Sequence, residues 1–156
     1  MLRSVYTALL YVFAPLALAG TALRGVRDPA YRERLSERLG FTQVLQPSAA
    51  PPIWLHAVSV GEVRSVAGLI RSLQADYPRH RVLITTMTPT GAEQARQMFG
   101  ATVRHAYLAF DFPGSVRRFL ARARPEFAIV AETELWPNLF AECERRGIPL
   151  LLVNAR

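Results

Sequence analysis

Lysine is absent from the 156 residues, so all 19 basic side chains are arginine and guanidinium groups carry the formal charge of +7. Arginine grips phosphate and carboxylate at two points and stays charged when partly buried, which directs attention to anionic partners: phospholipid head groups, phosphorylated substrates or nucleic acid. A GC-rich genome that writes arginine for lysine explains the choice of residue as well, but it leaves the net charge standing. Cysteine is nearly missing too. Cys143 stands alone, which excludes a disulfide within the chain and a cysteine zinc site. His56, His80 and His105 lack ligand spacing, so no structural metal is expected. No G-x-G-x-x-G follows the first strand-like run, which argues against a nucleotide-binding oxidoreductase domain. Nucleic-acid binding would rest on charge alone and is not expected.

Charge is missing altogether from residues 4–23, "SVYTALLYVFAPLALAGTAL". Roughly twenty apolar residues are what a helix needs to cross a bilayer core. Arg24, Arg27, Arg32 and Arg34 follow at once, so the positive-inside tendency keeps that flank and all beyond it cytoplasmic. A cleaved signal peptide is a rival, since Ala17-Leu18-Ala19 precedes Gly20, but arginines just past the site hinder export. Tyr6, Tyr11, Pro15 and Gly20 interrupt the run and keep an interfacial helix open, and a buried core helix is a further alternative. Residues 1–27 are assigned to a membrane anchor, spanning or lying flat.

What is present is an ordinary globular composition, 51% hydrophobic and 20% charged, long enough for one domain. Disorder is expected only in "QPSAAPP", residues 46–52. Residues 28–51 are assigned to an amphipathic helix and a linker. Asp28 before Pro29 is a helix start, and Tyr31, Leu35 and Leu39 recur at helical spacing over 28–41. That stripe suits either the membrane surface or packing on the domain. From residue 52 strands and helices alternate: strands over 52–59, 81–86, 103–109, 126–132 and 149–155, and helices from Val63 to Pro78 and over 90–99, 114–123 and 135–146. The rhythm predicts an α/β domain over 52–156, a Rossmann-like parallel sheet with helices on both faces.

In such a sheet the loops after the strands share one edge, where ligands bind. Those loops carry Ser59, Gly61 and Glu62; Thr88, Pro89, Thr90 and Gly91; Asp111; Glu132 and Glu134; and Asn154 and Arg156. Two readings of Glu62 are open. Ser59-Val60-Gly61-Glu62 fits an S-x-x-E capping box, as does Thr90-Gly91-Ala92-Glu93. A carboxylate beside a glycine that lets substrate approach closely is equally suited to take a proton from an attacking sugar hydroxyl. In "AETELWPN", residues 131–138, two carboxylates compete for ionisation at a strand end, as such pairs do at sites. Glu134 and Pro137 are explained as helix-start residues. Glu132 leaves the core needing a partner, and Trp136 is expected to fill the core rather than stack on a sugar.

"YRERLSERLGF", "HAVSVGE", "TTMTPTG", "AETELWPNL" and "PLLLVNAR", in this order behind an apolar start, resemble the 3-deoxy-D-manno-octulosonic acid (Kdo) transferases of Gram-negative bacteria over essentially the whole chain. The resemblance implies the N-terminal half of a GT-B glycosyltransferase: this domain takes the lipid A precursor and a second binds CMP-Kdo. It implies inverting transfer at the cytoplasmic face of the inner membrane, with no metal and no cofactor. It puts the general base on Glu62 and a second required glutamate on Glu132. Ser59, Gly61, Thr88, Pro89, Thr90, Gly91 and Glu134 join the acceptor site. Family members continue past Asn154-Ala155-Arg156 into the donor domain, so these residues alone are expected to turn over negligibly. The competing expectation is a non-catalytic membrane module that binds anionic lipid or sugar phosphate.

Overall fold

The computed structural model describes residues 2–43, 50–132 and 135–153. Helix α1 (Leu2–Arg27) leads through a turn of 3-10 helix at Pro29–Tyr31 into α2 (Leu35–Arg38). Then follow β1 (Ile53–His56), α3 (Val60–Ser65), α4 (Ala67–Asp76), β2 (Val82–Thr86), α5 (Pro89–Phe99), β3 (Val103–Tyr107), α6 (Pro113–Ala123), β4 (Phe127–Ala131), α7 (Pro137–Arg146) and β5 (Leu150–Val153). All pairings are parallel, in the order β3-β2-β1-β4-β5. Each predicted strand and helix from residue 52 onward is found, and the expected α/β class with it. The helix from Val63 to Pro78 is divided at Val66 into α3 and α4.

Side chains alternate across the sheet, so each strand feeds two cores. Ile53, Leu55, Val82, Ile84 and Ile129 pack with Val63, Ile70 and Phe99 on one face. Trp54, Leu83 and Ala128 pack with Phe119, Leu120 and Leu139 on the other. Trp54 is fully buried, its ring edge-on to Phe119 at 5.1 Å and its indole N–H donating to the Thr85 hydroxyl at 2.8 Å. Such an aromatic pair adds about 1 kcal/mol beyond the area it hides.

The segment before β1 departs from expectation. Asp28 starts it as predicted, its side chain accepting from the Ala30 amide at 3.0 Å. No helix spans 28–41, however, and the leucine stripe does not face inward: Leu35 and Leu39 are exposed while Glu37 and Arg38 are buried. The reason lies on the sheet edge. Strand β3 has no neighbour on one side, and an unpaired buried amide is costly. Glu37 accepts from the Tyr107 amide at 2.8 Å and pairs with Arg34 at 2.8 Å. Arg38 lies 4.3 Å over the Tyr107 ring and donates to the Met87 carbonyl at 2.9 Å. Gly40 closes the turn at φ +87, where a Cβ would strike the Ser115 carbonyl oxygen. The predicted linker falls partly on residues 44–49, outside the described residues.

Helix α1 forms as expected and is docked on the domain. Tyr6 donates its hydroxyl to Asp111, the Thr7 hydroxyl donates to the Asn138 amide oxygen at 3.0 Å, and the Tyr11 ring lies 5.1 Å from Phe112.

Candidate active site

The strand order sets the geometry. From β1 the chain winds outward to β2 and β3, then returns to the far side of β1 to place β4 and β5. The winding reverses between β1 and β4, and in open α/β sheets the crevice outside the carboxyl ends of two such strands is the binding site. His56 of β1 is level with Val130 of β4, so the segments leaving these two strands rise side by side. One brings Glu62, the other Glu132.

Glu62 is the third residue of α3 and only 8% exposed. One carboxylate oxygen accepts from the Val58 amide at 2.7 Å and the other from the Ser59 hydroxyl at 3.1 Å. The predicted capping box does not form as such, since Glu62 reaches past the cap residue to the Val58 amide. Ser59 occupies the cap position, but its hydroxyl turns to Glu62 and caps no amide. The second predicted box is displaced: Thr88 caps α5 by accepting from the Gly91 amide at 3.0 Å, with Pro89 in the first turn, while Glu93 pairs with Arg96 at 2.7 Å. Proline at the first helical position makes the residue before it the cap, and Thr88 has the hydroxyl.

The Thr88–Gly91 turn braces the loop that carries Glu62. The Met87 amide donates to the Val58 carbonyl at 3.1 Å, and a Cβ on Gly91 would stand 3.3 Å from that same oxygen. Pro89 and Gly91 are buried, Thr88 half-buried, and Thr90 faces solvent. A Cβ on Gly61 meets nothing within 4 Å, so the approach to Glu62 from that side is open.

Glu132 is exposed and sits in the left-handed region at φ 60, with its amide donating to the Val153 carbonyl at 2.8 Å. A side chain in that region costs on the order of 1 kcal/mol, and non-glycine residues held there gather at functional sites. Glu134, Asn154 and Arg156 lie outside the described residues. Trp136, expected in the core, is half-buried against the second cluster.

Asp111 reaches the rim with a structural duty. It accepts from the Asn138 and Leu139 amides at 3.0 and 2.8 Å, capping α7 from a distant loop, and from Tyr6 of α1. Burial raises its pKa, and those donors hold it back. Replacing Asp111 with alanine strands two amides and the tyrosine at once. A loss of about 2–3 kcal/mol is expected, read from urea midpoints, with Asp111→Asn in between.

Sequence reasoning passed over His56, which closes β1 fully buried beneath the rim. Its Nδ1 lies 3.1 Å from the Thr85 carbonyl oxygen, its Nε2 has no partner, and burial lowers its pKa to about 4. Trp136 stands edge-on at 6.3 Å, its indole N–H also buried and unpartnered. The signal was available: His56 is two residues beyond Trp54, on the same face of an apolar strand. Beside this pair, Tyr6, Leu10, Phe13 and Ala14 of α1 and the Phe110 and Phe112 rings enclose an apolar slot of about 130 Å³.

Fold and rim together define a Rossmann-like α/β domain with acidic side chains at its switch point. Residues 33–156 match the family described as "3-Deoxy-D-manno-octulosonic-acid transferase (kdotransferase)". The 3-deoxy-D-manno-octulosonic acid transferase of Haemophilus influenzae is 46% identical over 158 residues, taking in 100% of this chain and 36% of that protein. The transferase of Bordetella pertussis is 38% identical, over 99% of this chain and 37% of its own length. A probable mitochondrial 3-deoxy-D-manno-octulosonic acid transferase of Arabidopsis thaliana is 34% identical, over 97% and 34%. The chain belongs to the Kdo transferase family, and it spans about a third of the length of these relatives.

Proposed function

We propose that this chain is the acceptor-binding half of a GT-B Kdo transferase acting at the cytoplasmic face of the inner membrane, with lipid A precursor as acceptor and CMP-Kdo as donor. Glu62 is the general base. An acceptor hydroxyl oxygen attacks the anomeric carbon of Kdo, the new C–O bond forms as the bond to CMP breaks with inversion, and the hydroxyl proton passes to Glu62. Ser59 and the Val58 amide fix the carboxylate in place, which is what a base needs to meet its proton in line. Glu132 holds the acceptor from the neighbouring strand, and Thr90 and the open side of Gly61 line its path. The apolar slot beside Trp136 suits part of an acyl chain.

One observation carries this reading: Glu62 and Glu132 rise from adjacent strands at the point where the sheet's winding reverses. The test compares two proteins. One continuing through the donor domain transfers Kdo; the 156 residues alone bind acceptor and turn over negligibly, because the sugar nucleotide is not held across the cleft. Transfer by the shorter protein refutes the division of labour.

Glu132 offers a sharper check. Glycine adopts the left-handed region freely, so Glu132→Gly is expected to raise stability by up to about 1 kcal/mol. The same change is expected to lower transfer by the longer protein at least about 100-fold. A variant that is more stable and still fully active removes Glu132 from the site.

A further inference from the structure

Helix α1 is long and apolar enough to cross a bilayer by length and composition, over Leu2–Val26. Its contacts are incompatible with doing so. Thr7 is bonded to Asn138 of α7, Tyr6 to Asp111, and Tyr11 packs on Phe112, so the first half of the helix lies against the folded domain. The far end packs on the turn that follows it: a Cβ on Gly25 would meet the Arg32 side chain at 2.6 Å, and the Asp28 amide closes the last turn on the Arg24 carbonyl at 2.8 Å. Between the docked first half and Val26 only about twelve residues remain, roughly 18 Å of helix against a hydrocarbon core of ~30 Å.

The side of α1 turned from the domain is also apolar. Leu2, Val5, Leu9, Val12 and Leu16 are all exposed and spaced three and four apart, and exposed Leu23 and Val26 resume the same side seven residues on. Arg3 stands at one end of this stripe and Arg24 at the other, and residues 1–27 contain no acid. Long arginine stems let a buried helix keep its charges at the level of lipid phosphates.

We infer that α1 lies flat in the surface of an anionic bilayer, its Leu2–Val26 stripe sunk among the acyl chains and its opposite side still docked on the α/β domain through Tyr6 and Thr7. Tyr6 and Leu10 belong to the wall of the apolar slot, so this posture holds that slot and the neighbouring rim at the lipid surface. The placement stands whether or not Glu62 is the base, since no reaction step enters it.

The test uses the protein bound to vesicles of phosphatidylglycerol and phosphatidylethanolamine. Single cysteines replace Leu2, Leu9, Leu16 and Leu23 and carry a fluorophore whose depth is read by lipid-attached quenchers; Cys143 is buried, its thiol pushed up to about 11, and stays silent. All four positions are expected at one shallow depth, with binding at least about tenfold tighter than to neutral vesicles. A Ser4→Cys, Arg145→Cys pair, whose parent residues line the same groove between α1 and α7, is expected to be joined by a short bis-maleimide in the bound state. Depths graded across the bilayer, or loss of that cross-link on binding, show a spanning helix and overturn the inference. Stripe positions shielded without vesicles show that protein covers them, another domain or a second copy, and overturn it too.

Discussion

Glu62→Gln, made in protein that carries the donor domain, is expected to reduce transfer about 10³-fold while leaving stability within about 1 kcal/mol of the parent. Glutamine is the informative substitute because a capping box accepts Glu or Gln at this position. Its amide oxygen still accepts from the Val58 amide, and its NH₂ donates to the Ser59 hydroxyl in place of the 3.1 Å bond that now runs the other way. Everything α3 asks of residue 62 is therefore preserved, and only the capacity to take a proton is lost. A helix-start residue predicts an active Gln variant; a base predicts an inactive, folded one. Transfer retained within a few-fold would return Glu62 to its structural reading, and the proton would need another acceptor on the rim. Ordinary activity in Glu62→Ala would be stronger still, since alanine removes both acceptors.

The parallel sheet was legible because its information is local. Apolar runs such as "PIWLHAVS" and "RVLITT" end at residues that cap or break, and proline or glycine brackets the helices between them, so strand ends expected at 86 and 103 fall on Thr86 and Val103. That the segments carrying Glu62 and Glu132 leave the same edge of the sheet followed from the same rhythm, since every loop after a parallel strand exits on one edge. What was misread depends on partners far away in sequence. Leu35 and Leu39 keep perfect helical spacing, yet the Tyr107 amide, 70 residues on, draws Glu37 inward and turns the leucines out. Likewise nothing within "SVYTALLY" announces that Thr7 bonds a residue 131 positions away. Periodicity reports which side is apolar; it does not say what will cover that side. The displaced cap at Thr88 is a different kind of miss, because Pro89 was in view and its preference for the first helical position decides between the two threonines.

Acid should weaken this fold well before its carboxylates are titrated. His56 is held neutral by burial with a pKa near 4, partly offset by the Thr85 carbonyl. His105 is lowered to about 3, first by burial and then by Arg34, Arg96 and Arg38, with Arg34 3.0 Å from its Nδ1. An unfolded histidine titrates near 6.5, so as pH falls below that value the unfolded chain takes up protons that the folded one refuses. Stability is then highest above about pH 6.5 and falls by up to ~1.4 kcal/mol per pH unit for each histidine, levelling off only below their folded values. At pH 5 each should have removed on the order of 2 kcal/mol, a large share of what a domain of this size has. Asp111, its pKa raised by burial, works the other way, while Glu142, held at about 2 chiefly by Arg145, contributes its loss only once pH drops below the ordinary carboxylate range. The window between pH 6.5 and 4.5 therefore belongs mainly to the histidines. Urea midpoints at pH 7 and pH 5 measure it, and the difference in His105→Gln should be about half that of the parent whatever the variant's absolute stability. An unchanged difference would mean that burial and the arginines around residue 105 do not keep protons off it, and that the edge of β3 is held by Glu37 and Arg38 without it.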